Sequence, residues 1–433
     1  MKPTPAPSTA RGVRTRRVVT LLSAAVAALL AVTACSGSSD GGGGGVSVAA
    51  GATKAEFRAA LADMDPVEMK VQVLTPKEAA YSKAWEDYGK ALDDWSGGKI
   101  TFKMHYSGAI VPTDVSGALS DGLIDAAPFQ PVFEPDKFPV ASFIGKRSAT
   151  DPNTPVAGPL GQFASWAEVG YHDSIVRELE DNGIHPLVPI VMAGGPFQLI
   201  CGDKPYDTLA DLGGASVRVA SPANEAEVKA LGASPVSLPT LEVFEGIQRG
   251  TVDCAVMPTT LAYAINIAEV AKNWTVDPRG GFASTHETLG VSQATWDDLP
   301  LAARQLMHDR LDVFFGTYIP GHIIGGGEIS MKQVEKAGGT LHRWDDEAWK
   351  RLDDHHRSGM TNVDDAPAGV DGSALVRTVI TAQEKWLPKV EELGYRSELG
   401  WDELVGHLAK QPLDPQSLID ELRAEILDNH RPE

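Results

Sequence analysis

Two ten-residue stretches, 128 residues apart, read as the same phrase. Ala118 to Ala127 is ALSDGLIDAA, and Gly246 to Ala255 is GIQRGTVDCA. In each, a glycine (Gly122, Gly250) falls where a helix ends in the left-handed conformation that side chains disfavour. An apolar or β-branched pair then opens a strand, and an aspartate (Asp125, Asp253) follows. The lead-ups match as well. Residues 100–104 read as a strand before a helix starting near Thr113. Residues 235–238 read as a strand before a helix starting near Thr240, with Glu242 in its first turn, where negative charge suits the helix dipole. A helix–glycine–strand phrase alone is common and can be coincidence. The shared strand–helix context is what points to two related α/β lobes with parallel sheets.

The first lobe is expected to run from a strand at 71–74 through a helix at 79–95 to the strands at Ile100 and Asp125. The second repeats that order from Ser216. Residues 158–182 read as a helix leading to strands at 186–192 and 197–201 that cross between lobes. From Asp297 onward helices dominate, at 301–315, 331–336, 345–356, 374–393, 401–409 and 415–427. The acidic loop 363–372 lacks calcium-loop spacing. The expected class is α/β: a two-lobed periplasmic-binding-protein-like (type II) fold with a ligand cleft between the lobes and a helical C-terminal region. Lobe I takes residues 66–195 plus about 284–322. Lobe II takes 196–283 plus about 323–433, including the C-terminal helices. Two lobes about a cleft suit closure on a hinge.

The N-terminus reads as an address. Arg11, Arg14, Arg16 and Arg17 precede an uncharged, mostly apolar run from Val18 to Ala34, which ends in small residues before Cys35. Basic, apolar, then small is the order of a secretory signal, and the run is shorter than the roughly 20 residues of a spanning helix. Arg16-Arg17 also fits a twin-arginine route. Residues 35–65, opening SGSSDGGGGG after Cys35, read as a flexible tether. Five of the 38 basic side chains lie in the leader, leaving 33 against 58 acidic ones. A chain so acidic is repelled by nucleic acid and anionic lipid, and a cationic site for an anion stands out on it. Cys201 and Cys254 fall in expected strands. Export permits a disulfide between them, and two buried free thiols are the alternative. No CxxC or Cys/His spacing suggests zinc, and no cofactor is implied. Gly325-Gly-Gly327 lacks the Lys-Ser/Thr of a phosphate loop, and His355-His356 reads as a solvated helix face.

The segment from Ser216 to Asp253 carries the chemistry. A short apolar strand delivers Arg218 to its end, beside a helix start. A guanidinium fork there can pair a carboxylate through two hydrogen bonds. The same segment resembles a family. YDTLADLGGASVRV, LGASPVSLPTLEVFEGIQRGTVDCAVMP, LSDGLIDAA and the opening VQVLTPKEAAYSKAWEDYGKALDDWSGGKITFKMHYSGAI are similar to the extracytoplasmic solute receptors of TRAP transporters, the four-carbon-dicarboxylate-binding type. The resemblance runs from about Val71 to Met307. Separately, the small residues just before Cys35 resemble the lipobox of bacterial lipoproteins, which implies lipidation of Cys35 and anchoring at the outer face of the cell membrane.

The resemblance implies that Arg218 pairs with a ligand carboxylate, and that TRAP permease subunits are the membrane partner. Three positions depart from the family pattern. Gln198 stands where a second arginine is frequent, Thr240 where an aromatic is frequent, and Met257 where an asparagine precedes the proline. A simple dicarboxylate preference is therefore not inherited. Thr75, Tyr81 and Gln130 occupy strand ends or helix starts on the expected cleft side of the first lobe. The expected function is a lipid-anchored receptor for a carboxylate-containing organic acid, not an enzyme. A receptor for an ABC importer or a sensor is a second reading. A secreted enzyme is a third, against which stands the absence of GxSxG, HExxH and CxxC motifs.

Overall fold

A computed structural model describes residues 46–149 and 152–433. The leader, Cys35 and the glycine run lie outside the described residues. Eleven strands form two sheets among the described residues. The first contains β1 (Val67–Gln72), β2 (Ile100–His105), β3 (Ala126–Phe129), β4 (Ile184–Met192) and β10 (His286–Ser292), in the order β2-β1-β3-β10-β4. The second contains β5 (Phe197–Cys201), β6 (Ser216–Val219), β7 (Ser234–Ser237), β8 (Cys254–Pro258), β9 (Asn273–Thr275) and β11 (Thr340–His342), in the order β11-β9-β5-β8-β6-β7. In each sheet the strands of the repeated unit are parallel, β1 with β2 and β3, and β6 with β7 and β8.

The twin phrase folds identically down to its hydrogen bonds. Gly122 and Gly250 have φ of 67° and 69°. The Asp125 amide donates to the Lys70 carbonyl, and the Lys70 amide donates to Asp125 Oδ2 at 2.7 Å. The Asp253 amide likewise donates to the Ser216 carbonyl, and the Ser216 amide donates to Asp253 Oδ2 at 2.8 Å. Each aspartate thus satisfies a backbone amide of its neighbouring strand just before the first paired residues, Val71 with Ala126 and Val217 with Cys254, which fixes the register of the parallel pair.

The chain passes between the sheets at three places: from β4 to β5, from β9 to β10, and along the helices Leu311–Tyr318 and Gly325–Ala337. A π-helical segment, Ile319–Ile324, joins those two helices and begins with Pro320 near its first turn. The first helix packs on Ala80–Ser96 of the first lobe, and the second packs on Thr259–Ala264 of the second.

Three expectations change. Part of the range 35–65 expected as tether is folded, since Lys54–Ala60 is a helix capped by Thr53 with Phe57 buried in the core. The C-terminal helices do not belong to lobe II alone. The helix Ala157–Gly170 is buried on nearly every face, and Gly372–Glu392 covers it against the first lobe. Trp386 there is fully buried and donates to Glu168 Oε2 at 2.5 Å. Helix Asp346–Thr361 packs on the second lobe. Its His356 is not solvated, since Nε2 is 2.7 Å from the buried carboxylate of Glu227.

Candidate functional site

Arg218 lies one residue from the C-terminal end of β6. Paired residues on adjacent strands share a face, so Val236 on β7 and Ala255 on β8 flank it. Ligands of open α/β sheets bind beyond the carboxyl ends of parallel strands, and the guanidinium extends that way. Nε donates to the Leu238 carbonyl at 3.0 Å, one Nη to the Val256 carbonyl at 3.3 Å and the other to Thr240 Oγ1 at 3.2 Å. The residue is only 4% exposed. Every acceptor it holds is neutral, and among the described residues no carboxylate comes within ion-pair distance. The other buried arginine among the described residues differs: Arg147 pairs with Asp365. Burial pulls the Arg218 pKa below its ordinary value, the direction expected of a cation removed from water without a counter-charge.

The structure brings Thr240, Gln198 and Met257 to this same end of the sheet. Thr240 follows β7 and accepts from Arg218. Gln198 pairs in register with Met257, two residues along β8 from Ala255. Its amide is already engaged: Gln198 Nε2 donates to Asn153 Oδ1 at 2.8 Å, and Asn153 Nδ2 returns a bond to Gln198 Oε1 at 2.9 Å. Met257 is buried in the core. Gln130 and Thr75 follow β3 and β1, at the matching ends of the first sheet, and the Thr75 hydroxyl lies 2.8 Å from that of Ser82. Tyr81 is buried and donates to Glu287 Oε1 at 2.6 Å, so its hydroxyl is committed inside the protein.

Sequence reasoning missed what Tyr81 belongs to. Glu287, at the start of β10, also accepts from Tyr318 at 3.0 Å. Tyr318 further donates to the Met192 carbonyl at 2.5 Å, and His322 Nε2 is 3.1 Å from the Ala193 carbonyl. These groups tie together the three passages between the two sheets. Burial raises Glu287 to about 7 and depresses His322 to about 4. His286 packs against Trp166 with the two rings tilted, and Trp274 donates to the Ala271 carbonyl; both are buried. Cys201 and Cys254 are directly paired on β5 and β8 and form a disulfide. An apolar recess between Pro139–Gly145, Asp173–Asp181 and β4 touches none of the residues around Arg218.

Residues 162–353, which hold Arg218 and the second copy of the twin phrase, match the family described as bacterial extracellular solute-binding protein, family 7. This stretch of the chain is similar to that solute-binding family. A solute-binding protein of Albidiferax ferrireducens is 28% identical over 200 residues, 44% of this chain and 58% of that relative, so the match spans little more than half of the relative's length. Among solved structures, a marine-metagenome TRAP solute-binding protein specific for aromatic acid ligands, in complex with 3-hydroxybenzoate, superposes with a TM-score of 0.62 at 19% identity, covering 74% of this chain and 99% of that one. A TRAP periplasmic solute-binding protein of Chromohalobacter salexigens with bound D-glucuronate gives 0.59 at 17% identity, over 72% and 99%. These likenesses establish the two-lobed α/β fold.

Proposed function

We propose that the protein captures a carboxylate-bearing small organic acid outside the cytoplasm and passes it to a TRAP-type permease, with Arg218 as the group that holds the carboxylate. The observation that carries this reading is a buried guanidinium at the carboxyl end of a sheet with neutral acceptors only. A carboxylate that displaces water there gains both charge and bidentate geometry. The resemblance of the leader to a lipoprotein signal supports a lipidated Cys35 that holds the receptor at the membrane surface. The reading requires capture and release, and no catalytic step. In a thermal-shift screen of organic acids, a ligand at a hundredfold excess over Kd adds about 2.7 kcal/mol of stability. Arg218→Ala is expected to cost about 2–5 kcal/mol of binding and to abolish that shift. Carboxylates that stabilise the wild type and Arg218→Ala equally would refute the site. Labelled fatty acid entering the wild-type chain but not Cys35→Ser is the expected result for the anchor.

A further inference from the structure

Resting on that reading of Arg218, we infer that the ligand is a monocarboxylate with an apolar body, rather than a dicarboxylate or a sugar acid. A second carboxylate is best held by a second cation, and Arg218 is the one cationic residue on β5, β6, β7 and β8. The sheet positions beside Arg218 are Val236 and Ala255, and the next position along β8 is Met257. None of the three can pair an anion or donate to a hydroxyl. Gln198, the one polar neighbour on β5, has an amide bonded both ways to Asn153. Beyond the Thr240 hydroxyl and the second N–H of Gln198, a polyhydroxylated ligand finds no side-chain partner at these strand positions, and each buried hydroxyl left unsatisfied costs binding.

The rims agree. Large hydrophobic side chains are rarely exposed on this protein, yet three of the exposed ones stand just past strand carboxyl ends: Leu241 after β7 at 86% exposure, Leu74 after β1 at 54%, and Phe133 after β3 at 48%. Leu241 follows Thr240, whose hydroxyl accepts from Arg218. An apolar body held by its carboxylate at Arg218 gives these side chains something to cover.

The test is the thermal shift and titration calorimetry of the purified chain with benzoate, hexanoate, 4-methyl-2-oxopentanoate, succinate and D-glucuronate. The expected result is that at least one of the three apolar monocarboxylates binds, with succinate and D-glucuronate at least about tenfold weaker. Leu241→Ser, at an exposed position that leaves folding intact, is expected to weaken the bound monocarboxylate several-fold. Met257→Asn is expected to narrow the gap to D-glucuronate. Succinate or D-glucuronate binding as tightly as every monocarboxylate, with Arg218→Ala abolishing it, overturns this inference while the receptor reading stands. No binding by any of the five overturns both.

Discussion

Glu287 is an acid placed where ionisation is costly, and its partners decide how costly. Its Oε1 takes hydrogen bonds from Tyr81 and Tyr318, which favour the carboxylate, but burial outweighs them and raises it to about 7 from an ordinary 4.5. The folded protein therefore binds this proton more tightly than the unfolded chain. The stability it contributes is present in full below about pH 4.5 and is lost as pH rises through about 7. His322, depressed to about 4, acts oppositely and costs stability as pH falls below about 6.5. Glu287→Gln keeps an acceptor for both tyrosines without the ionisation. Urea unfolding is expected to find it more stable than the wild type at pH 8, by up to about 3 kcal/mol, and close to it at pH 5. Equal differences at both pH values would exclude the ionisation. Arg218 was legible in the sequence because it ends a strand inside a contiguous motif. Glu287 was not, since its tyrosine partners lie 206 and 31 residues away and nothing local marks a strand glutamate as buried.

At the scale of elements, the repeated phrase was readable because helix end, strand start and aspartate are local. What it could not disclose is the role of the aspartate, which acts across to a strand 55 residues earlier in one lobe and 37 in the other. Asp125→Ala and Asp253→Ala each leave a strand amide, of Lys70 or Ser216, without its side-chain acceptor. Each is expected to lower stability by about 1–3 kcal/mol in chemical denaturation, and similar losses at the two sites would mark them as equivalent. The triple glycine 325–327, which fits no phosphate loop, has a packing role instead. A Cβ on Gly326 would lie 2.6 Å from Thr260 Cγ2 and 2.9 Å from its Cα. The backbone atom cannot swing away, so Gly326→Ala is expected to cost about 1–3 kcal/mol by overpacking. An unchanged midpoint in that denaturation would mean the two helices separate freely. The C-terminal helices were misassigned for a related reason. Amphipathic periodicity shows that Gly372–Glu392 needs a partner, but only the apolar surface of Ala157–Gly170 says which lobe supplies it.

For the molecule as a whole, the covalent and the mobile parts are separate. The disulfide joins two adjacent strands of one sheet, 53 residues apart in sequence, and crosses none of the three passages between the sheets. Hinge closure moves such passages and leaves each sheet rigid. The bridge should thus stabilise the second lobe without controlling closure. Replacing both cysteines by serine is expected to cost about 2–4 kcal/mol of stability. Saturation with a bound carboxylate should still reduce the radius of gyration in X-ray scattering, by the same amount as in the wild type. Arg218→Ala should show the converse, full thermal stability without ligand but no compaction on adding it. The separation fails if the serine pair remains folded at the measurement temperature, binds the acid, and does not compact. The bridge would then transmit strain into the β4–β5 passage, where β5 carries both Cys201 and Gln198.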